Sequence, residues 1–427
     1  MHPGCTFAFH GRRLVFCRSA SICCFHVHFL IGGLRLSTDF HFTTRVSRVG
    51  AGTLKDAFTP EAVRQAGLVT YWGAEFEFPT CPAFSRGVMK CADRGMYAFT
   101  LQTDAYNERV VWWMRHVRAF ECDPDWIVPT HGTIFALATA IRLFLLPGHK
   151  QLLVLEPGYN RYAQAASRMG LETIGSQMHP DAEGVYRIDW QDLEQKMADP
   201  GNGLLVFSNP NNPTGRVLTK DELENIAILS EKHGMPVFCD EIFAEITRVG
   251  PVFPYIHVSH GRDYAMTCTS LGKCMSLTGI NHANLLIPSV RLREAYIHQK
   301  YADHYGSIDP VLYAGLMEAY TEDGASFIRA LNAQMDANTA RFEERLPQCV
   351  PGVRVFHPEG TFVIWADYTG LGLDDDTLSR KLSEEVLFLG DDGSDYAVSR
   401  QFYRYNLAVP PKCLENSFDY FAAHWRA

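Results

Sequence analysis

Four apolar runs in the middle of the chain all end in the same way. Gln151-Leu152-Leu153-Val154-Leu155 leads into Glu156-Pro157-Gly158-Tyr159, and Leu204-Leu205-Val206-Phe207 into Ser208-Asn209-Pro210. Pro236-Val237-Phe238-Cys239 stops at Asp240-Glu241, and Ala265-Met266-Thr267-Cys268-Thr269 stops at Ser270. Short, continuous apolar runs bounded by polar or small residues are what strands buried on both faces look like. Helical patterns lie between them, over residues 162–169 and Lys220–His233. The second is opened by Thr219, with Glu222 three residues on, which is the spacing of a capping box. Strands alternating with helices predict an α/β fold, a mostly parallel sheet with helices on both faces. Ligands of such sheets collect beyond the carboxyl ends of the strands. The residues that terminate the runs are therefore the first candidates for function.

The flanks of this region read differently. Residues 48–56 form a polar, glycine-bearing arm, and residues 70–79 alternate aromatic and acidic side chains up to Pro79, the pattern of an edge strand. Tyr106, Val110, Trp113, Met114 and Val117 give residues 104–120 helical periodicity, and a strand-like Ile127-Val128-Pro129 follows. Beyond residue 303 a long helical region, with Gly324 as its expected break, precedes a strand-like Phe362-Val363-Ile364-Trp365 and a short α+β tail. The expected organisation is an extension over residues 1–37, disordered or artefactual, then an arm and part of a small domain over 38–95. A large domain over 96–303 and a carboxyl-terminal small domain over 304–427 complete it. His26 and His28 interrupt the apolar part of the extension and no small-residue cleavage site follows, which argues against a secretory signal.

Composition narrows the function classes. A net charge of −9, spread without long runs of one sign, argues against nucleic acid or an anionic membrane surface as partner. No long uncharged apolar run reads as a membrane span. Of twelve cysteines, Cys5, Cys17, Cys23 and Cys24 fall in the extension, and none shows the paired spacing of a zinc site. Reduced thiols in a cytoplasmic protein, with no metal, are the expectation.

Lys273 closes the fourth run, three residues after Ser270. A lysine beyond a buried strand, with a hydroxyl nearby, suits a site where the amine forms an imine with pyridoxal 5′-phosphate (PLP) and the hydroxyl meets the phosphate. The other tasks of such a site have candidates at the other strand ends. Asp240 is placed to pair with the pyridine nitrogen, Asn212 to hold the ring's phenolic oxygen, and Tyr159 to stack on the ring. His131-Gly132-Thr133-Ile134 leads into a helical pattern whose first N–H groups suit the phosphate. Arg404 can grip the carboxylate of an amino acid substrate in two-pronged fashion. Each residue alone reads more readily as a turn, a cap, part of the core or a surface cation; their order around one lysine sets them apart.

From about residue 48 onward, the chain resembles fold-type I PLP enzymes of the class I/II aminotransferase superfamily, and within it the MalY/PatB group of carbon–sulfur β-lyases. The likeness rests on Trp72-Gly73-Ala74-Glu75-Phe76-Glu77-Phe78, Asn209-Pro210-Asn211-Asn212-Pro213-Thr214-Gly215, Asp240-Glu241-Ile242, Ser270-Leu271-Gly272-Lys273, Pro358-Glu359-Gly360-Thr361-Phe362 and Arg404-Tyr405-Asn406. It implies a seven-stranded-type sheet in the large domain and a homodimer with shared active sites. It implies PLP held by Gly132, Thr133, Ile134, Tyr159, Asn212, Asp240, Phe243, Ser270 and Lys273, and an amino acid held by Ala74, Phe99, Asn212 and Arg404. The implied reaction is β-elimination from a cystathionine-like substrate. Transamination is the alternative, and a weakly catalytic PLP-binding protein with a regulatory role is the third reading. Three departures stand out: Phe243 where the group has Tyr or His, Phe99 at a tyrosine that reaches the partner's site, and Asn281 where many aminotransferases have arginine. The Asp-rich residues 390–401 are also unlike the group.

Overall fold

All four apolar runs are strands, and what lies on either side of them follows from their alternation. The computed structural model describes residues 40–306 and 308–426, so the stretch 1–37 and its four cysteines lie outside the described residues. The runs are β2 (Gln151–Glu156), β5 (Asn202–Ser208), β6 (Val237–Asp240) and β7 (Ala265–Thr269); β1 (Ile127–Thr130), β3 (Thr173–Pro180), β4 (Tyr186–Ile188) and β8 (Ala283–Leu286) complete one sheet. Its order is β1-β8-β7-β6-β5-β2-β3-β4. Strands β3, β2, β5, β6 and β7 are mutually parallel, β8 runs against β7 and β1, and β4 is an antiparallel addition at the edge. Seven strands with a short eighth therefore make the expected α/β sheet.

Successive side chains of a strand point to opposite faces, and β2 shows the result. Leu152 and Val154 join the core formed with Ala136, Leu137 and Ile141 of the helix Thr133–Phe144. Leu153 and Leu155 join the opposite core, with Leu223 and Ile226 of the helix Lys220–His233. Each such fully buried leucine contributes on the order of 2 kcal/mol, so the sheet cannot slip in register without exposing one face. The capping box at Thr219 and Glu222 forms as expected.

A second, antiparallel sheet has the order β11-β12-β10-β9, built from β9 (Arg354–Phe356), β10 (Val363–Asp367), β11 (Asp391–Asp392) and β12 (Phe402–Asn406). Its core includes Ile364, Tyr405, Phe342 and Phe418, and Val69 and Tyr71 from the amino-terminal side insert into it.

Two local expectations are corrected. Residues 70–79 form no strand. Gly73, at φ 68°, turns the chain, and the backbone bonds to Leu389, Asn406 and Ala408 are separate contacts rather than a ladder. The alternation arises because the acids are held by cations: Glu77 is buried against Lys55 at 2.9 Å, and Glu75 meets Arg48 at 2.9 Å. The helical break falls at residues 320–321, between the helices Pro310–Ala319 and Glu322–Cys349. Gly324 lies inside the second helix, where a Cβ would sit 1.9 Å from the Ala319 carbonyl oxygen; close approach, not helix breaking, is what glycine serves there. Among the described residues no helix is long and apolar enough to cross a membrane.

Candidate active site

The carboxyl end of β6 separates two adjacent acids. Asp240 faces a cavity and is 3% exposed. Its Oδ2 accepts from the Tyr162 hydroxyl at 2.6 Å and its Oδ1 from the Ile242 N–H at 3.1 Å. Burial pushes its pKa up to about 6, against the pull of those hydrogen bonds and of Lys273. Glu241 faces away, into a buried cluster where it meets Arg118 at 2.6 Å. Only the aspartate is available to a ligand.

Lys273 lies on the turn after β7 and its Nζ donates to the Ala74 carbonyl at 3.0 Å. Burial, then the Arg404 charge, lowers its pKa to about 8, so the amine gives up its proton near neutrality. The Phe243 ring centroid is 6.0 Å from Nζ. Two cavities, of about 180 and 460 Å³, both reach Lys273, Tyr159 and Ile242. Asp240, Asn212 and Arg404 line the smaller; Gly132, Thr133, Ile134 and Ser270 line the larger.

At the mouth of the larger cavity the helix Thr133–Phe144 begins with no side-chain cap, leaving its first N–H groups toward the cavity. Gly132, at φ 92°, turns the chain into that helix with a backbone shape that side chains rarely tolerate. Ser270 departs from expectation. Its Oγ donates to the His282 carbonyl at 2.6 Å and accepts from the Gly272 N–H at 3.0 Å, so it braces the turn before Lys273 and keeps no free proton for a phosphate. Asn281 lines this cavity where an arginine was the common alternative.

The smaller cavity holds the second surprise. Arg404, on β12, is 4% exposed, and its Nη1 donates to Asn212 Oδ1 at 2.8 Å. Its Nε and Nη2 both donate to Asp391 Oδ2, at 3.1 and 2.6 Å. Asp391 and Tyr162 were not among the sequence candidates, although Asp391 lies in the stretch that looked foreign to the group. Tyr159 packs edge-on against Tyr162, with centroids 5.6 Å apart. Phe99 lies outside both cavities of its own chain and is 99% exposed.

A model of the class I and II aminotransferases matches residues 75–419. The chain belongs to that family. Its relatives include the cystathionine β-lyase PatB of Bacillus subtilis, 24% identical over 83% of this chain and 92% of that one, and the protein MalY of Escherichia coli, 24% identical over 88% and 96%. Among solved structures, PLP-containing cystalysin from Treponema denticola superposes with a TM-score of 0.83 at 24% identity, covering 90% of this chain and 98% of that chain. The PLP-bound C–S lyase of Staphylococcus hominis gives 0.81 at 21% identity, with 90% and 98% covered. Both establish the fold.

The cofactor of this family is PLP, and the residues present fit it. An uncapped helix start suits a phosphate, a buried carboxylate suits a pyridinium nitrogen, and an amine that deprotonates near neutrality suits an aldehyde. Lys273, Asp240, Asn212, Tyr159, Gly132, Thr133 and Ile134 are the residues that would hold it.

Proposed function

We propose that this protein is a PLP-dependent enzyme that cleaves the carbon–sulfur bond of an L-amino acid by β-elimination, releasing pyruvate, ammonia and a thiol. The observation that carries the reading is the convergence of Lys273, Asp240, Asn212 and Arg404 on one buried cavity at the strand ends. When bound, the cofactor supplies an electron sink for charge developing at the substrate Cα. The protein's residues do the rest. Arg404 receives the α-carboxylate, and Lys273 takes the Cα proton, its lowered pKa matching a base that works near neutral pH. Asp240 balances the charge of the ring nitrogen, and Asn212, fixed by Arg404, meets the phenolic oxygen. As the Cα–H bond is lost, the Cβ–S bond breaks and the thiolate leaves with the bond's electron pair; water then converts the remaining enamine to pyruvate and ammonia.

The names of the relatives PatB and the other cystathionine β-lyases favour elimination, as does Asn281 in place of an arginine. Transamination is the second reading, supported by the family description and by Arg404. The third, a weakly catalytic PLP-binding protein with a regulatory role, draws on Phe243 and Phe99. A homodimer with shared sites is supported by the exposed apolar side chains of Tyr97, Phe99 and Leu101. The eight described cysteines are all unpaired, in keeping with a cytoplasmic protein.

The test is pyruvate formation from cystathionine by the PLP-loaded protein with no keto acid added. Sustained turnover that is absent in Lys273→Ala supports elimination. A single conversion of the cofactor to its aminated form, reversed by a keto acid, replaces it with transamination. Neither response to a panel of amino acids would favour the third reading.

A further inference from the structure

Arg404 carries five N–H donors, and Asp391 claims one whole edge of them. The two residues face each other across the β11–β12 pair, so the carboxylate is a fixed cross-strand neighbour of the guanidinium and not a passing contact. Asp391 Oδ2 also accepts from the Gly73 N–H at 3.1 Å, and the next residue, Ala74, is the acceptor of Lys273 Nζ. One carboxylate thus ties the arginine to the segment that lies against the lysine. Asn212 takes a third donor from the other side, leaving one N–H on Nη1 and one on Nη2. The pair is 4% and 15% exposed, so little water screens it.

We propose that Asp391 is a positioning and charge-selecting residue: it holds Arg404 by its Nε–Nη2 edge, cancels its charge, and thereby makes the cavity accept an α-carboxylate while disfavouring amino acids whose side chain brings a second carboxylate with no ammonium of its own to offset it. This rests on the reading that Arg404 receives the substrate α-carboxylate. The chemistry follows from the arrangement. An arginine with a fixed counter-ion keeps its directional donors but loses most of its long-range pull on anions. A ligand carrying one carboxylate can still use the two free N–H groups. A second carboxylate in the same small cavity also meets Asp391 and, on the same lining, Asp395. The substrate class is then an amino acid whose β-thio substituent is cationic or neutral overall, as in cystathionine, where an ammonium offsets the distal carboxylate.

The test titrates propionate and glutarate into PLP-loaded wild type, Asp391→Asn, Asp391→Ala and Arg404→Ala, following the cofactor absorbance. Asparagine keeps an acceptor for the arginine and removes the charge. Asp391→Asn is expected to bind propionate about tenfold tighter and glutarate tighter by a still larger factor, the size a nearby buried charge commands. Asp391→Ala should show the same tightening with a larger fall in turnover than Asp391→Asn, since it alone releases the guanidinium edge. If Arg404→Ala weakens both acids while Asp391→Asn binds them as wild type does or more weakly, the proposal falls and the role of Arg404 stands. If Arg404→Ala binds both acids unchanged, the carboxylate role of Arg404 falls, and this inference with it.

Discussion

Replacing Tyr162 with phenylalanine removes one oxygen and should move the ionisation of Asp240. The two side chains are 2.6 Å apart and both are buried, 1% and 3% exposed. A hydroxyl donating to a carboxylate stabilises the anion, and hydrogen bonds to charged groups are worth about 1.5–3 kcal/mol. At about 1.4 kcal/mol per pH unit, its loss raises the Asp240 pKa by about 1–2 units. From the present value of about 6, that places it between about 7 and 8. Below its pKa the carboxyl carries its own proton and offers no counter-charge to a protonated ring nitrogen, so cofactor binding weakens on the acid side. The assay is the PLP dissociation constant, measured by absorbance between pH 5 and 9. Wild type should lose affinity as the pH falls through about 6, and Tyr162→Phe should lose it one to two units higher, with Tyr159→Phe as a control that keeps this bond. An unmoved acid limb in Tyr162→Phe would refute the pairing of Asp240 with the ring nitrogen.

Because burial holds the Lys273 pKa down at about 8, the rate at which PLP joins the apoprotein should rise with pH and level off above about 8, whereas an ordinary lysine would keep gaining rate up to about 10; stopped-flow absorbance decides. Phe243→Tyr places a hydroxyl beside the cofactor site, and it should shift the pH at which the bound cofactor changes colour and raise pyruvate turnover; an unchanged spectrum and rate would mean that this position does not face the ring. Arg118→Leu strands Glu241 and Glu245 in a buried cluster and should cost about 3–5 kcal/mol in a urea melt, while Arg115→Leu, at an exposed pair, should cost under about 1 kcal/mol.

The strand-end residues were legible because their signal is local: a polar residue that stops a buried run sits at the edge where ligands bind. Asp240, Asn212 and Lys273 follow from that rule, and Gly132 from the helical pattern that it opens. What stayed hidden depends on distant pairing. Asp240 and Glu241 are neighbours in a strand and so point opposite ways, and nothing local says that the glutamate's partner is Arg118, 123 residues earlier. Strand β11 is two residues long, too short to show a period, so the placing of Asp391 across from Arg404 is visible only once the small sheet is built. Residues 70–79 misled because ion pairs reproduced the alternation of a pleat. Ser270 carried the right residue type, but the direction of its single proton depends on a carbonyl twelve residues on. Phe99 lines neither of the two cavities of its own chain, so no contact within the described residues marks it as a site residue.

The central claim is that Lys273 is the residue that carries the cofactor. Reducing the PLP-loaded protein with borohydride makes the linkage permanent, and mass spectrometry of its peptides then locates it. The account predicts a pyridoxyl group on the peptide containing Lys273 and its absence from that peptide in Lys273→Ala. Labelling of another lysine, such as the buried Lys300 whose pKa is also lowered to about 8, or of none, would contradict it.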